Sequence, residues 1–346
     1  MAVYSFNPLE DPRWVEFGER HSRFSIFHTT GWLKALCQTY RYEPIAFTTS
    51  PPGAGLENGI VFCRISSWLT GRRLVSLPFA DHCEPLIERP EECEEIVDAL
   101  SRQIGSEKLK YVEIRPRSAH RRFESGMQVS KQFCLHVLDL GLPLPDIFRR
   151  FHKDSTQRKI RRAEREGLRY EAGRSPALLK EFYRLSLLTR RRHRLPPQPT
   201  EWFRNLIACL GDRLRIHVAF KDGQAIASIL TLRYARTMVY KYGCSDAKFH
   251  KLGAMPLLFW KAIQEAKEQG LQEFDLGRTD SDNAGLLAFK GHLGATASSL
   301  TYLRSPAPRR WSLTEGQGMR IALRVMGHLP GGLLSTAGRL LYKHIG

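Results

Sequence analysis

The sequence predicts an α+β protein made of two similar halves, each a mixed sheet flanked by helices. Three observations carry that expectation. The same order of elements occurs twice along 346 residues: helices, several β-rich runs, one helix, then two more strands. Polar turn residues separate the alternating apolar runs, as hairpins require. The composition is globular, with 42 % hydrophobic, 25 % charged and 10 % aromatic residues, which excludes wholesale disorder and fibrous structure.

In the first half, 1–145, a helix around Gly31 to Tyr40 precedes β-rich runs at 43–49, 58–66 and 72–77. Glu92 to Ile104 (ECEEIVDALSRQI) then reads as helical, followed by the strand-like KYVEIR and QFCLHVLDL. Gly53-Ala54-Gly55 has the start of a phosphate-loop fingerprint, but no helix follows it, so Pro51 to Gly55 reads as a hairpin loop. In the second half, 146–304, helices near 155–167, 176–192 and 200–210 precede strands at 213–220, 224–234 and 236–245. Lys221-Asp222-Gly223-Gln224 is the hairpin turn between the first two of those strands. A long helix at about 253–269, the strand EFDLG and the strand SSLTYLR complete the repeat. Residues 305–346 form a basic tail with interleaved apolar residues, expected to be helical.

The net charge of +18 is unevenly placed: residues 1–145 hold 17 basic and 18 acidic side chains, and the remainder holds 36 and 17. A field of that size attracts phosphorylated substrates, nucleic acid or anionic lipid. Seven scattered cysteines without a CxxC pair read as reduced thiols, and the twelve histidines lack paired metal-ligand spacing. With no secretory leader and no run of 18 apolar residues, a soluble, cytoplasmic protein without a metal is expected. GxSxG, GxxxxGK[ST], HExxH and GxGxxG are all absent, which argues against a hydrolase, P-loop NTPase, zincin or Rossmann enzyme.

Four segments concentrate chemistry. Arg149 to Arg165 holds eight Lys or Arg against Asp154 and Glu164. Helical spacing lines up Arg158, Arg161, Arg162 and Arg165, turns Ile160 and Ala163 inward and puts Gly167 at the C-cap. That face reads as phosphate-binding, the alternative being a solvated surface. Arg190 to Arg194 makes a second cluster at a helix end, with Pro196 and Pro197 expected to stop the helix. From Glu273 to Ala295, a strand ending at Gly277 leads through Arg278 into a short helix over Asn283 to Lys290, with Asp282 as N-cap and Gly291 as C-cap. Leu287 and Phe289 would anchor that helix, so Lys290 projects near a strand terminus, where its ammonium could hold an oxyanion, a carboxylate or a phosphate; an ordinary helix-ending lysine is the alternative. Asp275 either orients a base or sits at a strand end. In the first half, Asp81-His82-Cys83-Glu84 combines reactive types; Asp81 or His82 could contact an acceptor amine, or all four could be turn residues. Cys83 and His82 point to opposite sides of an extended chain, and no cysteine has a histidine at helical spacing, which argues against a cysteine nucleophile.

RKIRRAEREG, then Tyr240 to Ser245, Gly253 to Trp260, Phe274-Asp275-Leu276-Gly277 and Phe289-Lys290 to Gly294-Ala295 occur in an order that resembles the Fem family of peptidoglycan-bridge aminoacyltransferases; SLPFADHCEPL resembles its less characterised relatives. The resemblance runs from about Phe27 to the end. It implies two tandem GNAT-like acyl-N-acyltransferase halves, the lysine of the family's FK motif at Lys290, substrate phosphate or tRNA along Arg158, Arg161 and Arg162, and an aromatic of the acyl-transfer cleft at Tyr242. Amide-bond formation on an amine of a cell-envelope or exopolysaccharide precursor, phosphorylated or lipid-linked, is the implied reaction, with no permanently bound cofactor. The acyl donor is aminoacyl-tRNA or acyl-coenzyme A. No long heptad run matches the coiled-coil arm of some Fem enzymes, and Phe249 to Ala254 keeps only part of the [QR]xxGx[GA] loop that holds coenzyme A pyrophosphate. The competing expectations are a coenzyme A-dependent N-acetyltransferase acting on a sugar-nucleotide or small amine, and a non-catalytic nucleic-acid binder. The tail suggests peripheral contact with the inner face of a membrane, or a helix packed on the second half.

Overall fold

A computed structural model describes residues 2–118, 123, 126–306 and 341–344. These fall into two units: the first takes the described residues up to 133 with 299–306 and 341–344, and the second takes 134–298.

Unit 1 contains β1 (Tyr4–Phe6), α1 (Arg13–Arg20), α2 (Thr30–Tyr40), β2 (Glu43–Thr48), β3 (Ile60–Ser67), β4 (Gly71–Val75), α3 (Pro90–Ser106) and β5 (Tyr111–Ile114). Local chemistry sets these ends. Thr29 accepts from the Trp32 N–H to start α2, and Pro90 with Glu91 and Glu92 opens α3. β1 to β4 pair antiparallel in sequence order, β4 pairs parallel with β5, and β5 pairs antiparallel with β12 (Thr296–Ser305). Phe62, Leu74, Ile96, Leu100 and Val112 form the core between that sheet and α3.

Unit 2 begins within β6 (Gln128–Asp139) and continues through α4 (Leu144–Arg150), α5 (Arg158–Arg165), β7 (Arg169–Gly173), α6 (Pro176–Arg192), α7 (Thr200–Leu210), β8 (Leu214–Lys221), β9 (Gln224–Tyr234), β10 (Thr237–Ser245), α8 (Ala254–Glu268), β11 (Glu273–Thr279) and α9 (Ala284–His292). Its pairing repeats that of unit 1. β7 to β10 are antiparallel neighbours, β10 is parallel to β11, and β11 is antiparallel to β6. Ile160, Ala163, Leu257, Phe259, Ile263 and Phe274 lie in its core, which joins α5 and α8 to one face of the sheet.

The repeat of elements expected from sequence is therefore present, with one difference in how the chain is shared. The last strand of each unit comes from the other stretch of sequence: β6 follows β5 in the chain but pairs with β11, and β12 follows β11 but pairs with β5. The division at 145/146 expected from sequence thus falls inside unit 2, and 299–304 group with unit 1. Periodicity identifies a strand but not its partner. Most of the tail, 307–340 and 345–346, lies outside the described residues. Among the described residues, no helix is long and apolar enough to cross a membrane.

Candidate active site

β10 and β11 pair over only three residues, Thr237–Val239 against Glu273–Asp275. Beyond that point β10 stays with β9 as far as Ser245, and β11 stays with β6 as far as Thr279. Each strand carries a bulge where the pairing stops. In β10 the register against β9 shifts between Tyr240 and Tyr242, leaving Lys241 as the extra residue. In β11 it shifts between Asp275 and Arg278, so Leu276 and Gly277 together oppose His136 of β6. Gly277 has φ +71°, a left-handed conformation that favours glycine. The two bulges part the strands and open the sheet at their C-terminal ends.

The bulge in β10 also redirects its aromatics. Without it Tyr240 and Tyr242 would share a face. Instead, Tyr240 packs on Phe259 of α8 at 4.8 Å, whereas the Tyr242 hydroxyl accepts from Trp202 Nε1 at 2.8 Å and its ring meets Phe203 of α7 at 5.3 Å. Gly243 has no room for a side chain, because the Tyr240 hydroxyl occupies the place of its Cβ. The end of β10 is tied to α6: Thr189 Oγ1 accepts from the Ser245 N–H at 3.0 Å, and Arg192 donates to the Ser245 carbonyl at 3.1 Å.

On the other side of the opening, α9 delivers Lys290. The lysine is 2 % exposed, and its Nζ donates to the carbonyls of Gly277 at 2.8 Å and Arg278 at 3.1 Å. Asp275, 1 % exposed, accepts from the Gly277 N–H at 2.7 Å, so it holds the bulge from within β11. Arg278 is exposed. Two details of α9 differ from expectation. Asn283, not Asp282, is the N-cap, accepting from the Leu286 N–H at 3.1 Å. Gly291 lies inside the helix, which runs to His292, and the left-handed turn beyond it falls at Gly294, φ +73°. Lys290 thus lies in the last turn of α9, but strand carbonyls hold it inside the protein, and it is not a solvated terminal lysine.

His136 went unnoticed in the sequence because an isolated histidine in a strand carries no motif. It is 3 % exposed, and among the described residues its Nδ1 has no hydrogen-bond partner. Burial lowers its pKa, and the Lys290 charge lowers it further, so it stands as a neutral imidazole beside the bulge. Register against β11 was the information that would have found it.

The basic helix is placed as the sequence suggested, with Ile160 and Ala163 buried and Gly167 ending α5 in a Schellman turn (Leu168 N–H to Ala163 carbonyl, 3.1 Å; φ +65° at Gly167). Its charge is more balanced than expected: Arg158 pairs with Asp154 at 2.8 Å, Arg162 approaches Glu166 at 3.6 Å, and Arg161 lies over the Phe148 ring at 5.8 Å. α6 ends at Arg192, before Pro196 and Pro197. A second Schellman turn stops it, with Arg194 at φ +54° and the Leu195 N–H on the Arg190 carbonyl. At the start of α8, the Lys159 carbonyl sits where a Gly253 side chain would project.

Asp81 and His82 belong to unit 1. The Asp81 carbonyl accepts from Tyr302 Oη at 2.6 Å, and the buried His82 ring lies edge-to-face with Phe27. Cys83 has a histidine neighbour that spacing could not reveal: its Sγ is 3.3 Å from His28 Nε2. Burial pushes the Cys83 thiol up to about 12 and His28 down to about 4, so both are neutral at pH 7 and no thiolate forms. Among the described residues no three His, Cys, Asp or Glu side chains gather as a metal site.

Residues 150–290 match the family model of the GNAT acetyltransferase domain, the stretch that holds β10, α8, β11 and Lys290. Over 173 residues the chain is 29 % identical to a UDP-N-acetylmuramoylpentapeptide-lysine N(6)-alanyltransferase of Weissella viridescens, covering 48 % of this chain and 51 % of that one. The crystal structure of FemX superposes with a TM-score of 0.71, covering 88 % of this chain and 97 % of FemX at 13 % identity. The chain resembles the Fem-type acyltransferases. A tandem GNAT protein from the clavulanic acid biosynthesis pathway also superposes, with a TM-score of 0.54 over 89 % of this chain and 99 % of its own, at 10 % identity. The Fem-type likeness establishes the fold class read from the sequence, two tandem GNAT-like halves. The chain spans about half the length of the curated alanyltransferase it matches.

Proposed function

We propose that this protein is an N-acyltransferase that moves an aminoacyl group from aminoacyl-tRNA onto an amine of a cell-envelope or exopolysaccharide precursor. The observation that carries the reading is Lys290, a buried ammonium fixed by two β11 carbonyls beside the opening between β10 and β11. The acceptor amine attacks the ester carbonyl, an N–C bond forms, the C–O bond to the ribose breaks, and the leaving hydroxyl takes up a proton as the amine loses one. A fixed positive charge lowers the energy of the oxyanion that develops between those steps, and it needs no reorganisation to do so. Asp275 and Gly277 act as positioning residues, because they shape the bulge that Lys290 grips. Tyr242, Arg278, Arg158, Arg161 and Arg162 are the proposed substrate contacts in unit 2, with phosphate groups of the precursor or of the RNA the natural partners for the arginines. Asp81 and His82 remain proposed acceptor contacts in unit 1.

The loop before α8 supports the tRNA ester over acyl-coenzyme A, because Phe249 to Ala254 keep only part of the [QR]xxGx[GA] pattern. A pyrophosphate there would need open backbone N–H groups at the helix N-terminus. The test is to incubate the purified protein with UDP-N-acetylmuramoylpentapeptide and either alanyl-tRNA or acetyl-coenzyme A, and to detect the amide by mass spectrometry. Product from the tRNA donor alone is expected; product from acetyl-coenzyme A alone would overturn the donor assignment.

A further inference from the structure

In unit 1, the tip of the β3–β4 hairpin holds two large apolar side chains in water: Trp68 is 86 % exposed and Leu69 50 %. The turn that presents them is tightly built. Ser67 Oγ accepts from the N–H groups of Leu69 at 3.1 Å and Thr70 at 2.9 Å. Thr70 Oγ1 donates to the His344 carbonyl at 2.8 Å, and the buried Arg73 donates to both Thr70 Oγ1 at 2.5 Å and that same carbonyl at 2.8 Å. These bonds fix the backbone of the turn that carries Trp68 and Leu69. The indole keeps one edge-on ring contact among the described residues, His344 at 5.6 Å.

Cations lie near this wedge, on the neighbouring segments and beside His344. Arg72, Lys108, Lys110 and Lys343 are all exposed. The Lys110 N–H donates to the Arg72 carbonyl at 2.7 Å, and the Lys110 side chain runs along Gly71. Lys108 stands in the turn that enters β5, and β5 pairs with β4 from Tyr111 opposite Arg73. The nearest acid in that turn, Glu107, is committed to Arg64 at 2.8 Å. An exposed tryptophan and leucine on a hairpin tip, with lysine and arginine on the adjoining segments, combine the two features that seat a protein at a charged bilayer interface.

We propose that the β3–β4 hairpin tip inserts Trp68 and Leu69 into the interface of an anionic membrane, with Arg72, Lys108, Lys110 and Lys343 on the lipid headgroups. The proposal does not depend on the acyl-transfer reading. It is tested by co-sedimentation of the full chain with vesicles of phosphatidylcholine alone and of equimolar phosphatidylcholine and phosphatidylglycerol. Binding to the anionic vesicles, weakened by salt, is expected. Trp68→Ala combined with Leu69→Ser should weaken it about tenfold or more, and Lys110→Glu should weaken it on anionic vesicles. Both variants should melt as the unaltered protein does, since the changed side chains are exposed. Two results would overturn the proposal: vesicle binding that is absent or unaffected by the double substitution, or a concentration-dependent dimer that the substitution abolishes, which would make the tip a contact between copies.

Discussion

Lys290 and Cys83 show why burial has to be known before a reactive residue type is given a role. The buried Lys290 Nζ donates hydrogen bonds to two carbonyls of the β11 bulge. Unpaired, that ammonium would cost several kcal/mol to bury. Cys83 lies within reach of His28, yet the same desolvation holds its thiol near 12 and leaves the imidazole unprotonated. Sequence spacing argued against a cysteine nucleophile for want of a neighbouring histidine; the histidine exists, and burial supplies the better reason. Cys83→Ala is therefore expected to keep transfer activity within about twofold of the unaltered enzyme, its cost being the ~1 kcal/mol of a small packing loss. Loss of turnover without loss of folding would restore the cysteine mechanism. Of the residues singled out from sequence, Asp275, Arg278 and Lys290 come together around one bulge. His136 joins them through strand register, which no single-strand pattern encodes.

At the scale of elements, most helices were legible because capping and periodicity are local, although α1 and α4 were not read. α6, α7 and α8 were placed within about one residue at each end. Most strands were found as well, but β1 and β7 were not read as strands, β6 begins at Gln128 and not at Gln132, and the exchange of β6 and β12 between the units was missed, since pairing is decided by contacts far apart in sequence. The bulges that open β10 from β11 were hidden for the same reason. Two glycines measure how differently helix boundaries are enforced. Gly167 has φ +65° with open space around it, so Gly167→Ala should cost only the left-handed strain, about 1 kcal/mol. Gly253 has φ +79°, and a methyl group there would collide with the Lys159 backbone. Gly253→Ala should therefore destabilise by about 3 kcal/mol or more. Urea unfolding of the two variants gives the comparison; equal losses would mean that α5 yields easily at the start of α8.

Over the whole molecule, each unit buries a neutral histidine, and this ties stability to pH. His28 in unit 1 is held down to about 4. His217 in unit 2, bonded to Tyr170 at 2.7 Å and Thr231 at 2.8 Å, is held down to about 3. Their folded pKa values lie below the unfolded value of about 6.5, so the unfolded chain binds more protons between those limits. Stability from this source is complete above pH 6.5 and is lost as the pH falls toward 4 and 3, at about 1.4 kcal/mol per pH unit for each histidine. Denaturant midpoints taken from pH 7 to pH 5 should fall steadily; a flat profile would mean the two imidazoles gain protons without unfolding. The repeated sheet places its opening in unit 2, between β10 and β11, and the account centres on Lys290 beside that opening. The most direct test is single-turnover transfer from alanyl-tRNA to UDP-N-acetylmuramoylpentapeptide by the unaltered protein and by Lys290→Met, with folding followed by circular dichroism. A fall in rate of about a hundredfold or more in a folded variant is predicted. A folded Lys290→Met protein that transfers alanine at the unaltered rate would contradict the account.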